Sequence, residues 1–143
     1  MVNDVRFSGS TCVSVLTYGA RLFVANVGDS RAIVIKANPD GTCVGLPLSR
    51  DHKPDDPEES KVILAGGGRI DSYRDQQGNQ IGPMRVWLKH EDTPGLAMSR
   101  SFGDSMACRA GVHAVPEVKS FELVSEDKII VVASDGVWEF LEN

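Results

Sequence analysis

The chain has 143 residues, 41% hydrophobic and 24% charged, a balance that fits one globular domain with a sizeable core. Fifteen Lys and Arg against twenty Asp and Glu leave a formal charge of −5, which argues against nucleic acid or an anionic membrane as partner, since either needs a basic face. Three cysteines without C-x-x-C spacing give neither a disulfide framework nor a zinc ligand pair, and the longest apolar run, Ile129 to Ala133, is far short of a membrane span. The opening "MVNDVRFSGS" lacks the basic and apolar regions of a signal peptide, so the expected setting is intracellular, cytoplasmic or nuclear.

From Gly9 to Ser49, Val13, Val15, Leu22, Val24, Val27, Ile33 and Ile35 recur near period two. Turn signals interrupt them at Tyr18-Gly19, Gly28-Asp29-Ser30 and Asn38-Pro39-Asp40-Gly41, which predicts three or four antiparallel strands in a meander. Asp56 before Pro57, with Glu58 and Glu59 in the first turn, predicts a helix over Pro57–Ala65. Val62, Ile63 and Leu64 give it an apolar side, and Gly66-Gly67-Gly68 ends it. A polar hairpin around Gln77-Gly78-Asn79 follows, then a loop at "HEDTPG". Two more strands are predicted within Val118–Ser134 about a turn at Ser125-Glu126-Asp127, and "GVWEFLEN" begins a further helix. Strands outnumber helices and no βαβ rhythm appears. The fold class is therefore α+β, an antiparallel β-sandwich rather than a parallel sheet.

Two apolar strands end in an aspartate beside a glycine: "ANVGDSR" with Asp29 and "VASDGVW" with Asp135. A carboxylate there costs free energy unless it is paired, hydrogen-bonded or bound to a cation. Gly28 and Gly136 let the backbone turn sharply or approach a ligand closely, and hard divalent cations take such oxygen ligands. The alternative is ordinary turn chemistry, with Asp29 pairing with Arg31 or capping a turn. "SGST" lacks the frame of a phosphate loop and reads as the start of a strand. Ser99, Arg100, Ser101 and Asp104 are dense, but no His or Lys base sits at a telling spacing. An Arg-Asp pair that holds two strands together is the structural reading. His52, His90 and His113 lie scattered among loop-like residues and read as solvated surface histidines.

Taken in order, "SGSTCVSVL", "LFVANVGDSRAIVI", "LSRDHKPDDPEESKVILAGGGRI", "RVWLKHEDTPGLAMSRSFGD", "VPEVKSFEL" and "DKIIVVASDGVWEFLEN" resemble the metal-dependent protein phosphatase 2C family over almost the whole chain. The resemblance implies two antiparallel sheets packed as a sandwich and flanked by helices. It further implies Mg²⁺ or Mn²⁺ in a binuclear site, and hydrolysis of phosphoserine and phosphothreonine in protein substrates by a metal-activated water. Asp135 then matches an aspartate of the core metal cluster, and Asp29 one near a further, more weakly held metal. Residues from about 51 to 85 match a flap-like segment that influences substrate choice, and Arg100 and Asp104 match a segment lining the sandwich interior in a structural role. The family's "DGHGG" signature and its early phosphate-gripping arginine have no counterpart here, and the "DN" pair would fall after Asn143. Residues 1–143 are therefore expected to be a partial catalytic domain with no complete catalytic set, inactive in isolation. The alternative is a non-catalytic, phosphatase-like binding module.

Overall fold

The computed structural model describes residues 4–143. In chain order the elements are β1 (Gly9–Ser10), β2 (Cys12–Tyr18), β3 (Arg21–Val27), β4 (Arg31–Ala37), β5 (Cys43–Pro47), α1 (Pro57–Ala65) and β6 (Gly68–Arg74). They continue as β7 (Gln80–Leu88), β8 (Pro94–Leu96), β9 (Phe102–Gly103), α2 (Ser105–Cys108), β10 (Glu117–Glu122), β11 (Asp127–Ala133) and α3 (Asp135–Trp138). No helix among the described residues is long and apolar enough to cross a membrane. The chain divides into two compact units, one holding Thr11–Asp51 with Pro116–Asn143, the other the described residues up to Ser10 with His52–Val115.

The first unit is the sandwich. β2 and β3 form a hairpin, and β10 adds to the other side of β3, giving the antiparallel order β10-β3-β2. β4 and β5 form a second hairpin, flanked by β11 in the order β11-β4-β5. The expected meander is thus corrected. β3 and β4 follow one another in sequence but lie in different sheets, and Gly28-Asp29-Ser30 carries the chain between them. The cause is burial. Leu22 and Val24 on one sheet, Ala32 and Val34 of the other and Leu48 just after β5 form one core cluster, joined by Val13, Val15, Phe121, Leu123 and Ile130. Facing sheets bury both apolar sides at once, at about 1.5–3 kcal/mol for each fully buried aliphatic side chain.

In the second unit α1 has the predicted bounds. The Asp56 side chain accepts from the backbone N–H of Glu58 and Glu59, and Pro57 stands in the first turn. Its apolar side is narrower than expected: Ile63 is buried, whereas Val62 and Leu64 are exposed. Glu59, one turn before Ile63 on the same face, is buried with it. Ile63 packs with Val86, Leu88, Ala107, Ala110 and Val112 under the antiparallel β6-β7-β8 sheet. Gly68 opens that sheet because a Cβ there would lie 2.4 Å from the Ala110 carbonyl oxygen. The hairpin around Gln77-Gly78-Asn79 is present as β6–β7. The "HEDTPG" segment is not wholly a loop, since β8 begins at Pro94. β1 answers the strand start read at "SGST", whereas its partner β9 and α2 have no predicted counterpart.

Candidate functional site

The β4–β11 ladder ends with Arg31 opposite Ala133. Two residues beyond, on either strand, stand Asp29 and Asp135, so both aspartates leave the same end of one strand pair. Their settings differ. Asp29 is 4% exposed, in the link from β3 to β4. Gly28 before it has φ 98°, and a Cβ at that position would lie 2.4 Å from the Thr11 methyl, so both backbone and space demand glycine. Asp135 is exposed and is the first residue of α3, which the Trp138 indole N–H ties to the Ala133 carbonyl at 2.8 Å. Gly136 has no such constraint, because a Cβ there would meet nothing nearer than Ser134 Oγ at 3.6 Å. Only the first of the two glycines is a structural requirement.

The surroundings of Asp29 are fixed by a buried amide. Asn26 Nδ2 donates to the carbonyls of Gly28 at 3.1 Å and Arg50 at 2.9 Å, and so ties the β3–β4 link to the segment after β5. The Thr11 and Ser30 hydroxyls meet at 2.7 Å. Arg31 turns to Asp51, its Nε and Nη2 donating to the two carboxylate oxygens at 2.9 and 2.8 Å. Its Nη1 donates to Asn143 Oδ1, and the guanidinium lies 5.3 Å over the Trp138 ring. Neither role has a local signal in the sequence, since Asp51 stands in a charged run and Asn26 falls on the apolar period of β3.

These residues do not by themselves fit a binuclear metal centre. Among the described residues no group of three or more His, Cys, Asp or Glu is gathered where it could hold a metal ion, and two carboxylates fall short of the oxygen set a hard divalent cation takes from a protein and its waters.

The serine- and arginine-rich segment after β8 is a buried ion pair. Arg100 pairs with Glu59, not with Asp104, through Nη2 to Oε1 at 2.6 Å and Nε to Oε2 at 3.0 Å. Ser99 Oγ donates to the same carboxylate at 2.7 Å. Burial pushes the Glu59 carboxyl up, but the Arg100 guanidinium and the Ser99 hydroxyl together hold it below the usual carboxylate range. Asp104 instead accepts from Ser101 Oγ at 2.6 Å. Both Arg100 and Asp104 belong to the His52–Val115 unit and not to the sandwich sheets. His52 is no surface residue: it is fully buried, and its carbonyl accepts from the Ser99 N–H at 2.9 Å. His113 is half-buried, and burial first, then the Arg100 charge, hold it below the ordinary histidine value.

The chain matches the family model described as Protein phosphatase 2C over residues 3–143. It belongs to the protein phosphatase 2C family. "Probable protein phosphatase 2C 12" of Oryza sativa subsp. japonica is 44% identical over 140 residues, covering 98% of this chain and 35% of that protein. "Probable protein phosphatase 2C 72" of Arabidopsis thaliana is 42% identical over 142 residues, covering 99% of this chain and 42% of that protein. The chain thus spans well under half the length of these protein phosphatase 2C relatives. The solved serine-threonine phosphatase 2C from Toxoplasma gondii shares the fold, with a TM-score of 0.81 at 23% identity over 96% of this chain and 44% of that one. The antiparallel α+β architecture expected from the sequence is that of the family.

Proposed function

We propose that the chain is part of the catalytic domain of a metal-dependent protein phosphatase acting inside the cell on phosphoserine and phosphothreonine in proteins. The family match over residues 3–143 carries the reading. In it, Asp135 is one ligand of a core Mg²⁺ or Mn²⁺ cluster that it does not complete by itself, and Asp29 stands by a further, weaker metal position. Their placement at one end of the β4–β11 pair supports this. Residues from about 51 to 85 act as the flap-like segment that selects substrate. On this reading the isolated chain, with Asp135 as its one ligand of the core cluster, does not turn over substrate.

Two measurements test the reading. Hydrolysis of p-nitrophenyl phosphate by the isolated chain should not exceed background with excess Mn²⁺, and metal-dependent turnover lost in Asp135→Asn would overturn the inactive-chain assignment. Calorimetric titration should show weak Mn²⁺ binding, on the order of millimolar, diminished in Asp135→Asn. Identical isotherms for the two chains would remove Asp135 as a ligand.

A further inference from the structure

Asp29 precedes β4, whereas Lys36 stands near the end of that strand, in register with Asp127 of β11. At this other end of the sandwich a cavity of ≈ 230 Å³ runs in between the sheets. Its lining comes from both: Leu22 and Phe121 from one, Val34 and Leu46 from the other. β10 and β5, which supply Phe121 and Leu46, each end their sheet among the described residues, so the cavity lies on the flank where both sheets stop. Drug-sized sites run to about 300–1,000 Å³, so this one suits a smaller body, a single ring or a short chain.

The polar part of the lining decides what that body carries. Besides its apolar residues, the cavity is lined by Lys36, Glu122 and Asp127. The Asp127 side chain is 8% exposed, and its Oδ2 accepts from the Val124 N–H at 3.0 Å. Its Oδ1 is buried and accepts no hydrogen bond: Lys36 Nζ lies 3.3 Å away as an ion pair without hydrogen-bond geometry. A buried carboxylate oxygen in that state is costly, and a donor that reaches it through the cavity supplies what the protein does not. Two carboxylates against one ammonium also leave the lining negative, which favours a cation over an anion. Lys36 is about one-third exposed in its side chain, so its ammonium can turn to water on its long stem.

We propose that this cavity binds a small apolar amine. Its ring or chain lies against Leu22, Leu48 and Phe121, its ammonium donates to Asp127 Oδ1, and Glu122 adds a second negative charge to the same cavity. The inference goes beyond the phosphatase reading and does not rest on it, since binding here uses neither a metal nor Asp29 and Asp135.

Two-dimensional NMR of the methyl and amide signals of the whole chain, titrated with 2-phenylethylammonium, tests it, with 2-phenylethanol as the neutral and 3-phenylpropionate as the anionic counterpart. The amine should shift the signals of Leu22, Leu48, Phe121 and Leu123 saturably and bind about tenfold more tightly than the alcohol, and the propionate should bind no more tightly than the alcohol. Asp127→Asn, which keeps an oxygen for the Val124 N–H, should weaken the amine about tenfold and leave the alcohol within about twofold. Lys36→Met keeps the apolar stem and removes the internal competitor, so it should tighten the amine about threefold, and it carries the test should Asp127→Asn fail to fold. Equal binding of amine and alcohol, tighter binding of the propionate, shifts confined to other residues, or no gain in Lys36→Met would each overturn the proposal. Because the signal is binding and not hydrolysis, its failure leaves the phosphatase reading standing, and the converse holds.

Discussion

Arg100→Ala removes two charge-assisted hydrogen bonds, at 2.6 and 3.0 Å, from a carboxylate that is 2% exposed. It also takes the Nη1 donor, at 3.0 Å, from the Val115 carbonyl. Breaking one side of a buried pair typically costs about 3–5 kcal/mol, because the remaining charge is left uncompensated away from water. Set against a total of about 5–15 kcal/mol, that is a large share of the stability. At about 3 °C per kcal/mol for a chain of this size, the melting temperature should fall by roughly 9–15 °C. The control is Glu59→Leu with Arg100→Met, which removes both charges and keeps the volume. It should lie within about 1 kcal/mol of the parent chain or exceed it, since a buried pair repays its desolvation only narrowly. The pH dependence follows in sign. Glu59 has its carboxyl depressed in the folded state, so the pair stabilises above the ordinary carboxylate value and is lost as the pH falls below it. Urea unfolding of the three chains at neutral and acid pH, followed by circular dichroism, measures all of this. A cost under about 1 kcal/mol for Arg100→Ala would refute the reasoning. So would an equal cost in the double variant, which would put the effect in packing and not in charge.

Gly28→Ala should destabilise by more than about 1 kcal/mol, since it meets both a φ of 98° and the Thr11 methyl, while Gly136→Ala should stay within about 0.5 kcal/mol, a contrast that thermal melts of the pair would read. Ile63→Ala, at a fully buried site beneath the β6-β7-β8 sheet, should cost about 2–5 kcal/mol in the same assay, and a cost under about 1 kcal/mol would remove Ile63 from the core. Burial pushes the Glu117 carboxyl up, but Lys119 and Arg50 outweigh it and bring it down to about 2. Its contribution is therefore present above the ordinary carboxylate value and is lost as the pH falls toward 2, and Glu117→Gln should flatten the stability profile over that range.

The limits of α1 were legible because every signal acts within one turn: the Asp56 side chain reaches Glu58 and Glu59, Pro57 sets φ, and glycine follows Ala65. The β2–β3, β4–β5 and β6–β7 hairpins were legible for the same reason, through turn residues and a period of two. The aspartates of the candidate site were legible as an oddity, a charge at the tip of an apolar strand. That they leave the same end of one strand pair depends on Arg31 meeting Ala133 across a hundred intervening residues, and no local pattern encodes that pairing. Glu59 looked like first-turn dipole chemistry; its partner Arg100 lies 41 residues away, and only the packing of α1 brings them together. His52 sat among polar neighbours and is nevertheless fully buried. The switch of sheet between β3 and β4 has the same origin. A three-residue link looks alike whether it closes a hairpin or crosses a sandwich, and the choice falls to the arrangement that buries Leu22, Val24, Ala32 and Val34 together.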